Sequence, residues 1–220
     1  MVNLTSAQPA NSVMSTFTQS WYRNLCGLLP VTRPPNGART GLDAVREDSR
    51  VITDYIISEF VKSADISVHS SLEKICLTMK TLVKQVMETE GKRFTDLTGD
   101  MDMATLRNDP RQVVNAVLDS MFEDGRIHWL RIVAAYVFAI NLARRCTSEQ
   151  DETLGVKVVR SVGEYLCNES MARWILSEGG WQNITTVFVD ANDLEQKLKS
   201  VGYLALAVGF GALLSVVSSR

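Results

Sequence analysis

The run Ile132-Val-Ala-Ala-Tyr-Val-Phe-Ala-Ile140 is apolar on every side. In a helix such a run leaves no face for water, so it belongs at the centre of a bundle or in a membrane. Crossing a bilayer takes about 20 apolar residues, far more than this run supplies. A central helix wrapped by amphipathic neighbours fits the pattern better.

The rest of the chain supplies those neighbours. Val51, Ile52, Tyr55, Ile56 and Phe60 recur at helical spacing, with Asp48 or Ser49 placed to cap the start. Leu72, Ile75, Met79, Leu82 and Val86 repeat the pattern on a second helix. Asp109-Pro110 pairs an N-cap with proline at the first helical position, where a missing N–H costs nothing. Val114, Val117, Leu118 and Met121 follow, and Gly125 is expected to stop that helix. Two further helices are expected, over about 126–145 and 153–177, the second ended by Gly179-Gly180. No window alternates like a half-buried strand, so the expected class is all-α.

Proline marks the start of the chain as different. Pro9, Pro30, Pro34 and Pro35 account for four of the five prolines, set among Ser, Thr, Asn and Gly. Residues 1–45 therefore read as a flexible extension and 46–197 as the helical bundle. At the other end, Val201–Val217 holds no charge, with Lys197 and Lys199 before it and Ser218-Ser219-Arg220 after. Gly202, Gly209 and Gly211 would weaken a soluble helix but are common in membrane ones, so 198–220 reads as a tail anchor. A last buried helix of the bundle is the competing reading.

Composition narrows the function. With 23 Lys+Arg against 25 Asp+Glu, the chain lacks the clustered cationic excess of a nucleic-acid binder. The four cysteines form no C-x-x-C pair, and with His69 and His128 they make no zinc spacing, so no metal or cofactor is expected. Buried, inert thiols in a reducing compartment are the expectation, since Met1–Ala10 has neither the basic nor the apolar region of a secretory signal. No Gly-x-Ser-x-Gly, P-loop or His-Glu-x-x-His string occurs either. Function is expected in a surface, not in catalysis.

Three segments in order resemble the Bcl-2 family of apoptosis regulators. Trp174-Ile-Leu-Ser-Glu-Gly-Gly-Trp181 is similar to its BH-2 motif: two tryptophans, a helix stop at Gly179-Gly180, and a new helix at the second Trp. Met121 to Val133 is similar to BH-1, written Phe-x-Asp-Gly-x-x-Asn-Trp-Gly-Arg-Ile-Val, through Phe122, Asp124, Gly125, Trp129, Arg131, Ile132 and Val133. The helix from Asp48 to Val61 resembles BH-4. One extra residue between Asp-Gly and Trp, and Asp193-Leu194-Glu195, lean towards the myeloid-cell-leukaemia (Mcl) type.

The resemblance implies a bundle of about eight helices around the central apolar one, followed by a C-terminal apolar tail helix. It also implies a hydrophobic groove that holds the amphipathic BH-3 helix of pro-death relatives, whether BH-3-only or Bax/Bak-type proteins. Carried over residue by residue, Val117, Leu118 and Met121 form one wall. Ala134, Ala135 and Phe138 share a helix face with Arg131, and Phe94 and Leu97 supply the opposite wall. Arg131 would meet the ligand's aspartate. The plainer reading makes these apolar residues ordinary core and Arg131 a solvated charge. His128 and Leu130 replace the family's Asn and Gly, and Leu130 adds bulk beside the salt bridge.

Killers of the family carry Leu-x-x-x-small-Asp on the second helix. Here Leu72 to Leu82 sets Lys80 near the aspartate's place, and Ala64-Asp65 has the spacing but falls at the end of the first helix. The resemblance therefore implies a prosurvival protein at the mitochondrial outer membrane, with the endoplasmic reticulum and cytosol as further sites. Two other readings stay open: a Bak/Bok-type effector, suggested by Met171-Ala-Arg-Trp-Ile175, and a tail-anchored scaffold without apoptotic ligand.

Overall fold

The computed structural model describes residues 41–62 and 68–188, and the regular structure among them is helical. In chain order the helices are α1 Leu42–Phe60, α2 Ser70–Gly99, α3 Met103–Asn108, α4 Pro110–Met121, α5 Trp129–Ser148, α6 Glu152–Leu166, α7 Glu169–Ser177 and α8 Gln182–Val187. The expected all-α class holds. Residues 1–40 and 189–220, which hold the extension up to residue 40 and the whole tail, lie outside this description, as does Ala64-Asp65.

The all-apolar run lies inside α5, and each residue from Ile132 to Ile140 is buried. Helix α5 packs chiefly on α6 and α2, while α1 bridges α2, α6 and α7. Each neighbour turns an apolar stripe inward. On α2 the buried positions include Leu72, Ile75, Cys76, Met79, Leu82, Val83 and Val86, spaced by three and four. On α6 they include Leu154, Val158, Val159, Val162 and Leu166.

Local chemistry sets the helix ends. The Asp102 carboxylate accepts from the backbone N–H groups of Ala104 and Thr105, and Asp109 accepts from that of Gln112, with Pro110 next as expected. Asp151 caps α6 through the N–H of Leu154. Gly179 and Gly180 sit at φ 94° and 83°, a region open to glycine at little cost, and they separate α7 from α8.

Four expectations need correction. The first helix begins at Leu42 rather than at Asp48 or Ser49: Ser49 is fully buried mid-helix, its hydroxyl donating to the Val45 carbonyl at 2.8 Å. The single helix expected over 153–177 is two, because the Asn168 side chain accepts from the Met171 N–H and starts α7 afresh. Helix α4 stops at Met121, and Gly125 shapes the following turn at φ 68° instead of ending the helix. The short helix α3, too brief to show a period, lies where no helix was expected.

Buried polar groups lock α1 to the bundle. Thr53 Oγ1 donates to the Ser49 carbonyl at 2.6 Å and so accepts from the Tyr136 hydroxyl, 2.7 Å away on α5. Trp181 Nε1 donates to Ser49 Oγ at 2.9 Å. Cys76 and Cys146 are buried, which pushes both thiols up to about 11, as inert thiols require.

Candidate functional site

The turn between α4 and α5 and the first turn of α5 hold the densest polar arrangement near the BH-1-like segment. Gly125 donates its N–H to the Phe122 carbonyl at 2.9 Å, and Asp124 Oδ1 accepts from the Arg126 N–H at 3.0 Å. This tight turn aims the Asp124 carboxylate back at α5. There Arg131 grips it with both terminal nitrogens: Nη1 donates to Oδ1, and Nη2 donates to Oδ2 at 2.8 Å. Nη1 also donates to the Arg126 carbonyl at 2.8 Å.

Arg131 is therefore neither a solvated charge nor a free cation on a groove edge. Its side chain is 5% exposed, that of Asp124 31%. The Arg131 hydrogen bonds hold the Asp124 carboxyl down, to about 2, against the opposing effect of burial. Asp124, noted in the sequence only as a motif match, is the partner of Arg131 that spacing reasoning missed. The signal available was an Asp-Gly turn leading into a helix with an arginine in its first turn.

His128 caps α5, its Nδ1 accepting from the Arg131 backbone N–H at 3.4 Å. Burial, and then the nearby Arg131 charge, push its pKa down to about 4, with Asp124 opposing. A histidine kept neutral in the fold takes up its proton more readily unfolded, so stability falls as pH drops from about 6.5 to about 4 and is level below that. His128→Gln is expected to flatten this part of the profile, read as melting temperature against pH. An unchanged slope would assign the acid sensitivity to other groups.

The apolar candidates gather in one cluster, but as core. Phe94, Val117, Leu118, Met121, Ala134, Ala135 and Phe138 are each 3% exposed or less. Leu97 and Leu130 are half-buried against the same cluster. In the state described these side chains are packed away, and the half-buried Leu130 is the neighbour of Arg131 in sequence. Trp129, Trp174 and Trp181 form a structural cluster, with ring centroids 5.1 Å apart for Trp129–Trp174 and 5.4 Å for Trp129–Trp181. Lys80, near the place of a killer's aspartate, is paired with Glu59 of α1 at 2.6 Å.

The family model for apoptosis regulator proteins of the Bcl-2 family matches residues 79–181, from α2 to Trp181. Over that stretch, just under half of its length, the chain is similar to the Bcl-2 family. Apoptosis regulator BAX of Mus musculus is 30% identical over 110 residues, 48% of this chain and 57% of the relative. Bcl-2-related protein A1 of Bos taurus is 30% identical over 76 residues, covering 33% and 43%. The chain spans about half the length of the curated relatives it matches. Among solved structures, the zebrafish pro-survival protein NRZ in complex with Bad BH3 superposes at a TM-score of 0.58 with 21% identity, over 67% of this chain and 96% of that one. Chicken BOK superposes at 0.53 with 15% identity, over 67% and 99%. These two likenesses establish the fold.

Proposed function

We propose that the chain regulates apoptosis as a prosurvival protein, sequestering the BH-3 helices of pro-apoptotic relatives along the face where α4 and α5 meet. The observation that carries the binding role is Arg131, a buried cation at the start of the central helix beside an apolar cluster. An amphipathic helix with one aspartate is the complementary ligand: apolar anchors replace core contacts, and the carboxylate meets the guanidinium. The zebrafish neighbour, crystallised with a BH3 segment, supports that reading. The protective sense rests on Lys80, whose ion pair with Glu59 puts a cation near the place where a killer needs an aspartate. The extra residue before Trp129 leans the chain towards the Mcl type.

The likeness to BAX favours a second reading, a pore-forming effector. Among the described residues no helix is long and apolar enough to cross a membrane. The anchor is therefore proposed from the uncharged run 201–217 alone, with the mitochondrial outer membrane as its site.

One preparation tests all of this. Full-length protein is expected to bind fluorescent BH3 peptides in solution. It should associate with liposomes of outer-membrane lipid composition yet release no entrapped dye by itself. Dye release without any other family member overturns the protective reading in favour of the effector. A chain lacking Val201–Arg220 should keep its peptide affinity and lose the liposomes; continued association removes the anchor.

A further inference from the structure

We infer that Asp124 is a positioning residue for Arg131, holding its guanidinium so that the Nε–Nη2 edge faces the incoming ligand as a preformed carboxylate receptor; this rests on the BH-3-binding reading above. A guanidinium carries five N–H bonds in a fixed planar fork and has no acceptor. Both N–H bonds of Nη1 are used, one by Asp124 Oδ1 and one by the Arg126 carbonyl. One of the two on Nη2 is used by Asp124 Oδ2 at 2.8 Å. Two remain. Nε is buried and has no hydrogen-bond partner, and the second N–H of Nη2 lies parallel to it on the same edge. Two parallel N–H bonds on one edge are the geometry that binds a carboxylate in bidentate fashion.

The pairing with Asp124 is thus end-on and complete, and it leaves a whole second fork unspent. A ligand aspartate does not have to evict Asp124; it takes the unpaired edge, which binding must uncover because Nε is buried, while Asp124 stays. The arrangement carries a cost in the free state, because a buried N–H without a partner is unfavourable. Ligand binding removes that cost. Asp124 is suited to the positioning role because the turn fixes it independently of Arg131: its Oδ1 also accepts the Arg126 N–H, and Gly125 closes the turn on Phe122. The opposite assignment, Asp124 as a competitor that ligand must displace, predicts the reverse effect of its removal.

The test measures the affinity of the full-length chain for a Bad-type BH3 peptide and for the same peptide with its aspartate changed to asparagine. Wild type, Asp124→Asn and Asp124→Ala are compared, each first shown to be helical by circular dichroism at the assay temperature. The wild-type chain is expected to prefer the aspartate peptide by about tenfold or more, the equivalent of one bidentate contact. In both variants that preference should shrink several-fold, because Arg131 is no longer held, while the asparagine peptide binds nearly as before. General destabilisation would weaken both peptides alike, so the ratio isolates positioning. A preference that is unchanged or larger in Asp124→Asn overturns the inference and leaves BH-3 binding standing. No binding of either peptide by the wild-type chain overturns both.

Discussion

Trp181→Ala is expected to lower the stability of the bundle by about 3–5 kcal/mol, the range for removing a large aromatic from a packed core. Trp181 is fully buried, packs against Trp129 with the rings tilted, and donates to Ser49 across 132 residues of chain. Its removal opens a cavity where the start of α8, the first turn of α5 and the middle of α1 converge. Native domains are stable by only about 5–15 kcal/mol, so this is a large fraction of the total. The corresponding fall in melting temperature is roughly 6–20 °C at this chain length. Trp181→Phe keeps a buried aromatic ring but loses the indole N–H together with one ring of the bicycle. It should cost about 1–2 kcal/mol, since Ser49 Oγ retains its bond to Val45. Equilibrium urea denaturation of both variants measures the difference; equal losses would mean that the hydrogen bond and not the packing dominates.

The part of the fold that could be read from sequence is the part that depends on periodicity. The run from Ile132 to Ile140 announced a central helix because no other environment accepts an apolar surface on all sides, and the stripe on α2 announced a partner for it. Breaks set by a single side chain were not legible. Asn168 divides α6 from α7 through one hydrogen bond to Met171, and the apolar spacing runs straight across the break. The start of α1 was missed for the opposite reason: Ser49 looks like a cap, but its hydroxyl is consumed by Val45 and Trp181, and the second of these comes from the far end of the bundle. A residue's suitability as a cap is local, while its use is decided by tertiary contacts.

The site was legible as a set of residues and not as a state. The apolar positions of α2, α4 and α5 belong to one core, yet spacing along a helix says only which side chains share a face. It does not say whether that face is open, and here the apolar members are packed into the core. Nor does spacing reveal that the arginine already has a partner. Asp124 lies in a turn, where no period relates it to Arg131, and the pair exists because Gly125 adopts a positive φ and folds the turn back.

Gly163→Ala makes the strongest test of how tightly α1 is seated. A Cβ at Gly163 would press on Thr53 Oγ1 and stand 2.8 Å from its Cγ2, closer than real Cβ contacts come. Thr53 has nowhere to turn, because its hydroxyl is tied to both the Ser49 carbonyl and Tyr136. Either the helices separate, or Thr53 rotates and strands the Tyr136 hydroxyl, which is fully buried. Overpacking and a lost buried hydrogen bond together outweigh the helix-propensity gain of alanine, about 1 kcal/mol, for a net loss of about 2–4 kcal/mol. Thr53→Ala is destabilising alone, since it too leaves Tyr136 without its partner. Combined with Gly163→Ala it removes the two nearest contacts, so the double variant should be more stable than the sum of the single losses predicts, by about 1 kcal/mol or more. Strict additivity in that cycle would show that α1 and α6 do not meet at this point, and that the glycine is tolerated there rather than required.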